Sequence, residues 1–147
     1  MIQYETDQKK LGALGEKLVA KLENAILSEN KYDTEKDMTD LSGKKIEVKT
    51  QNRHPFKNCF SIHSAGITNV RKCMTVDRLI FVEYCKTDKI KIWECSKENR
   101  NSAFNYVASG GKSMHGWPIN KMKMIHKIED SKLAEEMRNY SKSYQFN

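Results

Sequence analysis

Asp40, Glu47 and Lys49 are the residues whose types and spacing point most directly to chemistry. Two carboxylates within reach of each other can hold a hard divalent cation, and a lysine beside them can offset negative charge that develops in a reaction. All three lie in Met38-Thr39-Asp40-Leu41-Ser42-Gly43-Lys44-Lys45-Ile46-Glu47-Val48-Lys49-Thr50-Gln51. Ser42-Gly43 is a hairpin turn signal, and Lys44 to Gln51 alternates polar and apolar residues as a half-buried strand does. A two-residue Ser42-Gly43 loop pairs Leu41 with Lys44, Asp40 with Lys45 and Met38 with Glu47. Asp40, Lys45, Glu47 and Lys49 then share one face, and Ile46 and Val48 the other. Asp40 and Glu47 become diagonal neighbours, about 7–8 Å apart at the backbone. An odd-length loop puts Asp37 opposite Glu47 instead, so Asp37 is the spare ligand. The Asp40 and Glu47 carboxylates should come within reach of one ion with the Lys49 ammonium beside them. Gln51 faces the same side as Lys49, where it can orient a water or a phosphate or be an ordinary strand end.

Asp40 followed by Glu47-Val48-Lys49 resembles the core of the PD-(D/E)XK nuclease superfamily. The resemblance takes in the preceding helix with Gly15-Glu16 and the order helix, strand hairpin, helix, strand over about the first two-thirds of the chain. It departs at Thr39, where the family carries a proline, and in the short spacing from Asp40 to Glu47. It implies an α/β (α+β) fold of restriction-endonuclease type, a central mixed β-sheet flanked by helices in the order αβββαβ with C-terminal additions. It also implies Mg²⁺ (or Mn²⁺) bound by Asp40, Glu47 and the Val48 carbonyl, with Glu16 on the same ion or a second one. Lys49 then acts on the attacking water. Glu16 read without the resemblance is a solvated helix glutamate. The activity implied is hydrolysis of DNA phosphodiesters, with RNA left open. A Holliday-junction-resolvase-like endonuclease is the first form of it, which a homodimer would suit. A restriction-like or single-strand nuclease of the same fold is the second, and a catalytically inactive nucleic-acid-binding module is the alternative from another class. Placement of Asp40 and Glu47 on opposite sheet faces would sink the nuclease reading.

Composition bounds these readings. The chain has 147 residues and a formal net charge of +7, the size of one domain with one modest core and a sign that favours polyanions. Lys44, Lys45, Arg53, Lys57, Arg71 and Lys72 are the candidate phosphate contacts. No apolar run approaches the roughly 18 residues of a membrane span, and the N-terminus carries no secretory apolar segment, so the expectation is a cytoplasmic protein. Cys59, Cys73, Cys85 and Cys95 show neither C-x-x-C nor zinc-finger spacing and are expected to be reduced thiols.

The elements that must position the chemistry follow from periodicity. Thr6 or Asp7 caps a first helix reaching Ala25 or Leu27, with Leu11, Leu14, Leu18, Leu22 and Ala25/Ile26 as its apolar stripe. Gly12 and Gly15 cost that helix about 1 kcal/mol each against alanine, which signals a close approach on their side. Strands are expected at Tyr32–Asp40, Lys44–Gln51, Cys59–His63, Leu79–Val82, Lys89–Cys95 and, as a lysine-rich edge, Ile119–Ile128. Helices are expected at Ile67–Thr75, Asn99–Ala108 and Ser131–Tyr144. Asn52 to Asn58 is a loop or substrate-contacting turn carrying Arg53, His54 and Lys57, and His63 is read as a strand histidine rather than a base. Ser109-Gly110-Gly111-Lys112-Ser113 lacks the first glycine of a P-loop and reads as a basic loop. Trp117 either stacks on a base or seals the core.

Overall fold

The computed structural model describes residues 6–29, 36–53, 58–60, 72–84, 87–100 and 117–142. Helix α1 (Asp7–Glu23) starts at Thr6, whose hydroxyl accepts the Lys9 N–H, and stops at Asn24, which takes the left-handed conformation (φ 53°). That turn ends the helix short of the expected Leu27, and Ile26–Leu27 peel away as the short strand β1. Strands β2 (Met38–Thr39) and β3 (Lys45–Thr50) form the expected hairpin, and β4 (Cys59–Phe60) follows. Residues 72–75 are helical. Next come β5 (Arg78–Tyr84) and β6 (Lys89–Cys95), then helical residues 97–100, β7 (Trp117–Pro118), a 3₁₀ turn at Ile119–Lys121, β8 (Met122–Glu129) and helix α2 (Ser131–Ser141).

Among the described residues the fold is mixed α/β, with a six-stranded mixed sheet in the order β1-β2-β3-β5-β6-β8. The apolar run of β5 lies inside it, parallel to β3 and antiparallel to β6. The sequence expectation of a central strand there, hairpin-linked to the next, matches this arrangement. The third expected strand departs from it: β4 leaves the main sheet and pairs with β7 in a separate two-stranded sheet. Lysine-bearing β8 is an edge strand with a bulge opposite Ile92/Trp93, two features that discourage edge-to-edge pairing.

Alternation divides the sheet into two apolar faces. Ile46, Val48, Ile80, Val82, Ile90 and Ile92 pack under α1 and α2 with Leu11, Val19, Ala134 and Met137. Leu79, Phe81 and Cys95 face the other way, against Phe60, Cys73, Val76 and Trp117. Phe60 stacks on Phe81 at 4.5 Å, and Trp117 leans on Phe81 at 5.5 Å. Trp117 therefore seals a core. Cys59, Cys73 and Cys95 are buried free thiols. Among the described residues no helix is long and apolar enough to cross a membrane.

The buried line of α1 runs through Leu11, Gly15 and Val19 rather than through the centre of the leucine stripe. A Cβ at Gly15 would lie 1.8 Å from Thr50 Oγ1 and 3.0 Å from Thr50 Cβ, whereas one at Gly12 would meet nothing within 4 Å. The two glycines thus make opposite predictions. Gly15→Ala should destabilise the fold by about 1–3 kcal/mol through overpacking. Gly12→Ala should stabilise it by about 0.5–1 kcal/mol through helix propensity. Urea unfolding of the two variants measures the difference directly, and equal effects would mean that helix–strand packing does not depend on Gly15.

Candidate metal centre on the face of β3

The hairpin closes one residue differently from the two-residue loop. Thr39 pairs with Lys45 and Met38 with Ile46, so Asp40 faces Lys44 across a three-residue turn in which Gly43 takes φ +82°. The Asp40 N–H bonds the Lys44 carbonyl and the Gly43 N–H bonds the Asp40 carbonyl, each at 3.0 Å. A one-residue change of register moves a side chain to the opposite sheet face. Asp40 accordingly lies on the sheet face opposite Glu47, the outcome that sinks the nuclease reading as built on Asp40, and it is corrected out of the metal site. Its Oδ1 accepts from the Ser42 N–H at 2.9 Å, the Ser42 hydroxyl at 2.7 Å and the Lys44 N–H at 3.0 Å, and its Oδ2 lies 3.3 Å from Arg78. Burial opposes its ionisation, but the Ser42 and Lys44 hydrogen bonds outweigh this and hold its pKa below the usual range. Asp40 is a turn-organising carboxylate.

Asp37, the spare ligand of the odd-length loop, takes the place beside Glu47. Its backbone is fixed on both sides: its N–H bonds the Ile46 carbonyl at 2.9 Å, and its carbonyl accepts the Ser28 N–H at 2.9 Å. Among the described residues β3 has no strand partner on that side beyond the two residues of β2, and Asp37 Oδ2 accepts the Val48 N–H at 2.8 Å. Glu47 is 2% exposed, a buried carboxyl on the face opposite Ile46 and Val48. Lys49, two residues on, brings its ammonium to 3.2 Å from Glu47 Oε2. Lys72, at the start of the described helical turn, brings a second ammonium to 3.0 Å from Asp37 Oδ1 and 3.1 Å from Glu47 Oε1. Glu16, flanking buried Gly15 on α1, comes within hydrogen-bonding reach of Asp37 and feels the charges of Lys72 and Lys49.

The electrostatics are those of carboxyls sharing too little solvent. Burial first, then a hydrogen bond with Asp37 and the Asp37 charge, push Glu47 up to about 8. Burial and the Asp37 charge push Glu16 up to about 7. Burial works against Asp37 as well, but the Glu47 hydrogen bond, the Val48 N–H and Lys72 together hold it below its ordinary value. Burial would lower both lysines, yet the Glu47 and Asp37 carboxylates keep Lys72 and Lys49 above the usual range. Asp37 and Glu47 thus behave as a dyad in which a proton on Glu47 is shared with ionised Asp37.

The remaining expected site residues are placed as follows. Val48 gives its N–H to Asp37 and its side chain to the core. Gln51 is half-buried just past β3, its N–H on the Val82 carbonyl. Lys44 and Lys45 are exposed. Arg53, expected on phosphate, instead meets buried Glu83, donates to Asn58 Oδ1 at 2.7 Å and lies over the Trp93 ring. Lys72, expected on the basic surface, belongs to the carboxylate cluster. Lys57 and Arg71 lie outside the described residues, as do His54, His63, Cys85 and the Ser109–Ser113 segment. Sequence reasoning placed Lys72 and Arg53, besides Asp40, in the wrong groups, and nothing local distinguishes Lys72 from a solvated lysine.

Whether this donor set fits a divalent ion turns on Glu47. Its Oε1 is buried and has no hydrogen-bond partner, so the Lys72 contact to it is an ion pair rather than an aligned bond. A hard cation needs oxygen donors with free lone pairs, and Mg²⁺ is held by one or two carboxylates together with waters and substrate phosphate oxygens. Among the described residues no group of three or more His, Cys, Asp or Glu side chains is arranged to hold a metal as the side chains stand. The space between the Asp37 and Glu47 carboxylates is filled by the Lys72 ammonium.

The raised carboxyls make stability depend on pH. A carboxyl whose folded pKa lies above its unfolded value contributes stability that is whole below the unfolded value and is lost as pH rises through the folded one. Glu16 and Glu47 should therefore lower the melting temperature progressively from about pH 4.5 to beyond about 8. Glu47→Gln should flatten much of that decline, and differential scanning calorimetry across the range tests it.

No protein-family model and no curated protein matches the chain, so the reading of the site rests on its own residues.

Proposed function

We propose that the chain is a metal-dependent nuclease of PD-(D/E)XK type that hydrolyses DNA phosphodiesters, with Asp37 rather than Asp40 as the aspartate of its site. The observation that carries this reading is the meeting of Asp37, Glu47 and Lys49 on one face of β3, with the buried Glu47 carboxyl met by an ammonium at each oxygen. Glu16 on the preceding helix, flanking the Gly15 approach to β3, adds the helical glutamate that the resemblance implies. The mixed sheet with β3 and β5 parallel and helices on one face is compatible with a restriction-endonuclease-like core. Moving the aspartate to Asp37 also lengthens the spacing to Glu47, which was short with Asp40; Lys36 then stands where the family has proline.

Asp37 and Glu47 are the side chains that would hold Mg²⁺ or Mn²⁺, with the Val48 carbonyl as a further oxygen and Glu16 beside them. When bound, such an ion polarises a phosphate oxygen and lowers the pKa of a water. Hydrolysis forms a bond from water oxygen to phosphorus as the bridging P–O bond breaks. Lys49, anchored on Glu47 but a third exposed, is positioned to orient the water and to stabilise charge gathering on phosphorus. Exposed Lys45, on the Glu47 face of the same hairpin, is suited to a ground-state contact with phosphate, as is exposed Lys44 at the turn, and such contacts position the duplex without reading its sequence.

The test is a cleavage panel over branched, linear duplex and single-stranded DNA, and RNA, with and without Mg²⁺. Asp37→Asn, Glu47→Gln and Lys49→Ala should each reduce cleavage on the order of a hundred- to a thousand-fold while sparing binding. Asp40→Ala should keep turnover and cost about 1–2 kcal/mol of stability, the loss of a capping side chain. Binding should weaken steeply with salt as counterions are no longer displaced. Salt-sensitive binding without cleavage of any substrate would identify an inactive nucleic-acid-binding module, and an Asp40 effect equal to that of Asp37 would sink the assignment.

A further inference from the structure

We infer that Lys72 is the resident counter-ion of the cation position, an intramolecular ammonium that a divalent ion must displace before the site can work. The inference rests on the nuclease reading of the Asp37–Glu47 pair and adds a gate to it.

Geometry makes the case. The Lys72 ammonium lies 3.0 Å from Asp37 Oδ1 and 3.1 Å from Glu47 Oε1, bridging the two carboxylates assigned to the ion. A cation bound by these oxygens and Lys72 Nζ cannot occupy the same point, and two positive charges at such a distance repel strongly in a half-buried setting. Lys49 is arranged differently. It meets the other Glu47 oxygen, Oε2, and its side chain is 30% exposed against 13% for Lys72. One lysine is left to face a substrate while the other fills the space between the carboxylates.

The position of Lys72 is built into the fold. Directly after it, the main chain of the helical turn is gripped by Arg100, which is 1% exposed. Arg100 Nη1 donates to the Cys73 carbonyl at 2.9 Å and the Val76 carbonyl at 2.7 Å, and Nη2 donates to the Asp77 carbonyl at 3.3 Å. Cys73 and Val76 are themselves buried in the second apolar core. The backbone that carries Lys72 is thus fixed, and only its four-carbon stem has freedom to swing the ammonium aside. The state competent for metal is then a minor conformer, and apparent affinity falls by the fraction of time the ammonium is out of the way.

Binding of Mn²⁺ to the full chain, followed by titration calorimetry in alkaline buffer, tests this without any turnover. Lys72→Met should bind Mn²⁺ about tenfold tighter or more than the wild type, since minor states of this kind are about 0.1–10% populated. The same variant should melt lower than wild type without metal and gain more from Mn²⁺. Lys72→Arg keeps the charge and should stay close to the wild-type affinity, which separates displacement from packing. Glu47→Gln should remove binding in either background. Unchanged or weaker Mn²⁺ binding in Lys72→Met overturns the gate while leaving the nuclease reading standing if the wild type cleaves. Failure of both wild type and Lys72→Met to bind Mn²⁺ overturns the metal site itself.

Discussion

The burial of the Glu47 carboxyl sets the terms for everything around it. An ionised carboxylate taken out of water costs several kcal/mol unless it is paired, and a buried pair is stabilising only where its geometry and hydrogen bonds are complete. Glu47 lies in a strand whose other face is core, so it cannot turn to solvent. Its partners must be brought to it, and they come from separate parts of the chain. Lys49 comes from its own strand, Asp37 from the residue before β2, Lys72 from the helical turn before β5, and Glu16 joins from α1. Each of those elements is anchored elsewhere. Asp37 is tied to Ser28 and Ile46, Lys72 is held through Arg100, and α1 is seated on Thr50 at Gly15.

The sheet separates this cluster from a second one. Arg78 on the α1 side joins Glu23 at 2.6 Å, Glu94 at 2.7 Å and Asp40 at 3.3 Å, and His126 joins Glu23. The hydrogen bonds that Arg78 donates to Glu94 and Glu23 overcome partial burial and keep Arg78 above its ordinary value. That network has one guanidinium facing several carboxylates that each have a hydrogen-bond partner. It ties the C-terminal end of α1 to the hairpin, β6 and β8, which is a structural task. The β3 face differs because a Glu47 oxygen there remains without a hydrogen bond. Satisfied charge organises the fold, and incompletely satisfied charge marks the place where a ligand would be stabilised.

Much of this was legible in residues and their order. The apolar run 79–82, the alternation of β3 and β6, the lysine-rich edge and the α1 cap all follow from period and turn chemistry, and the structure has them. The choice between Asp40 and Asp37 was not legible, because it depends on whether Gly43 closes a two- or three-residue turn. Both loops suit Ser42-Gly43, and the decision comes from tertiary packing: Met38 is fully buried against the α1 face, which it can reach only in register with Ile46. The odd-length alternative stated from sequence is the one that packing selects. Lys72 and Arg53 were misplaced for a related reason. Lysine and arginine look alike whether they face water or a buried carboxylate, and Glu83, which claims Arg53, lies in a strand thirty residues away.

These claims on basic residues bear on what the net charge can do. A chain at +7 invites the view that its cations form one surface for polyanions. Arg53, Lys72, Arg78 and Lys49 are instead engaged with carboxylates, and Arg100 is buried on main-chain carbonyls. Exposed lysines among the described residues include Lys44 of the hairpin and Lys123 and Lys127 of the β8 edge. At the site itself the balance runs the other way. Glu16, Asp37 and Glu47, if all ionised, outnumber the ammoniums of Lys49 and Lys72, and in a water-poor setting that excess must be met by a proton or by a cation. The proton on Glu47 and a divalent ion are alternative answers to one electrostatic demand. The same demand keeps Glu16 and Glu47 above their ordinary range while Asp37 stays ionised below its own.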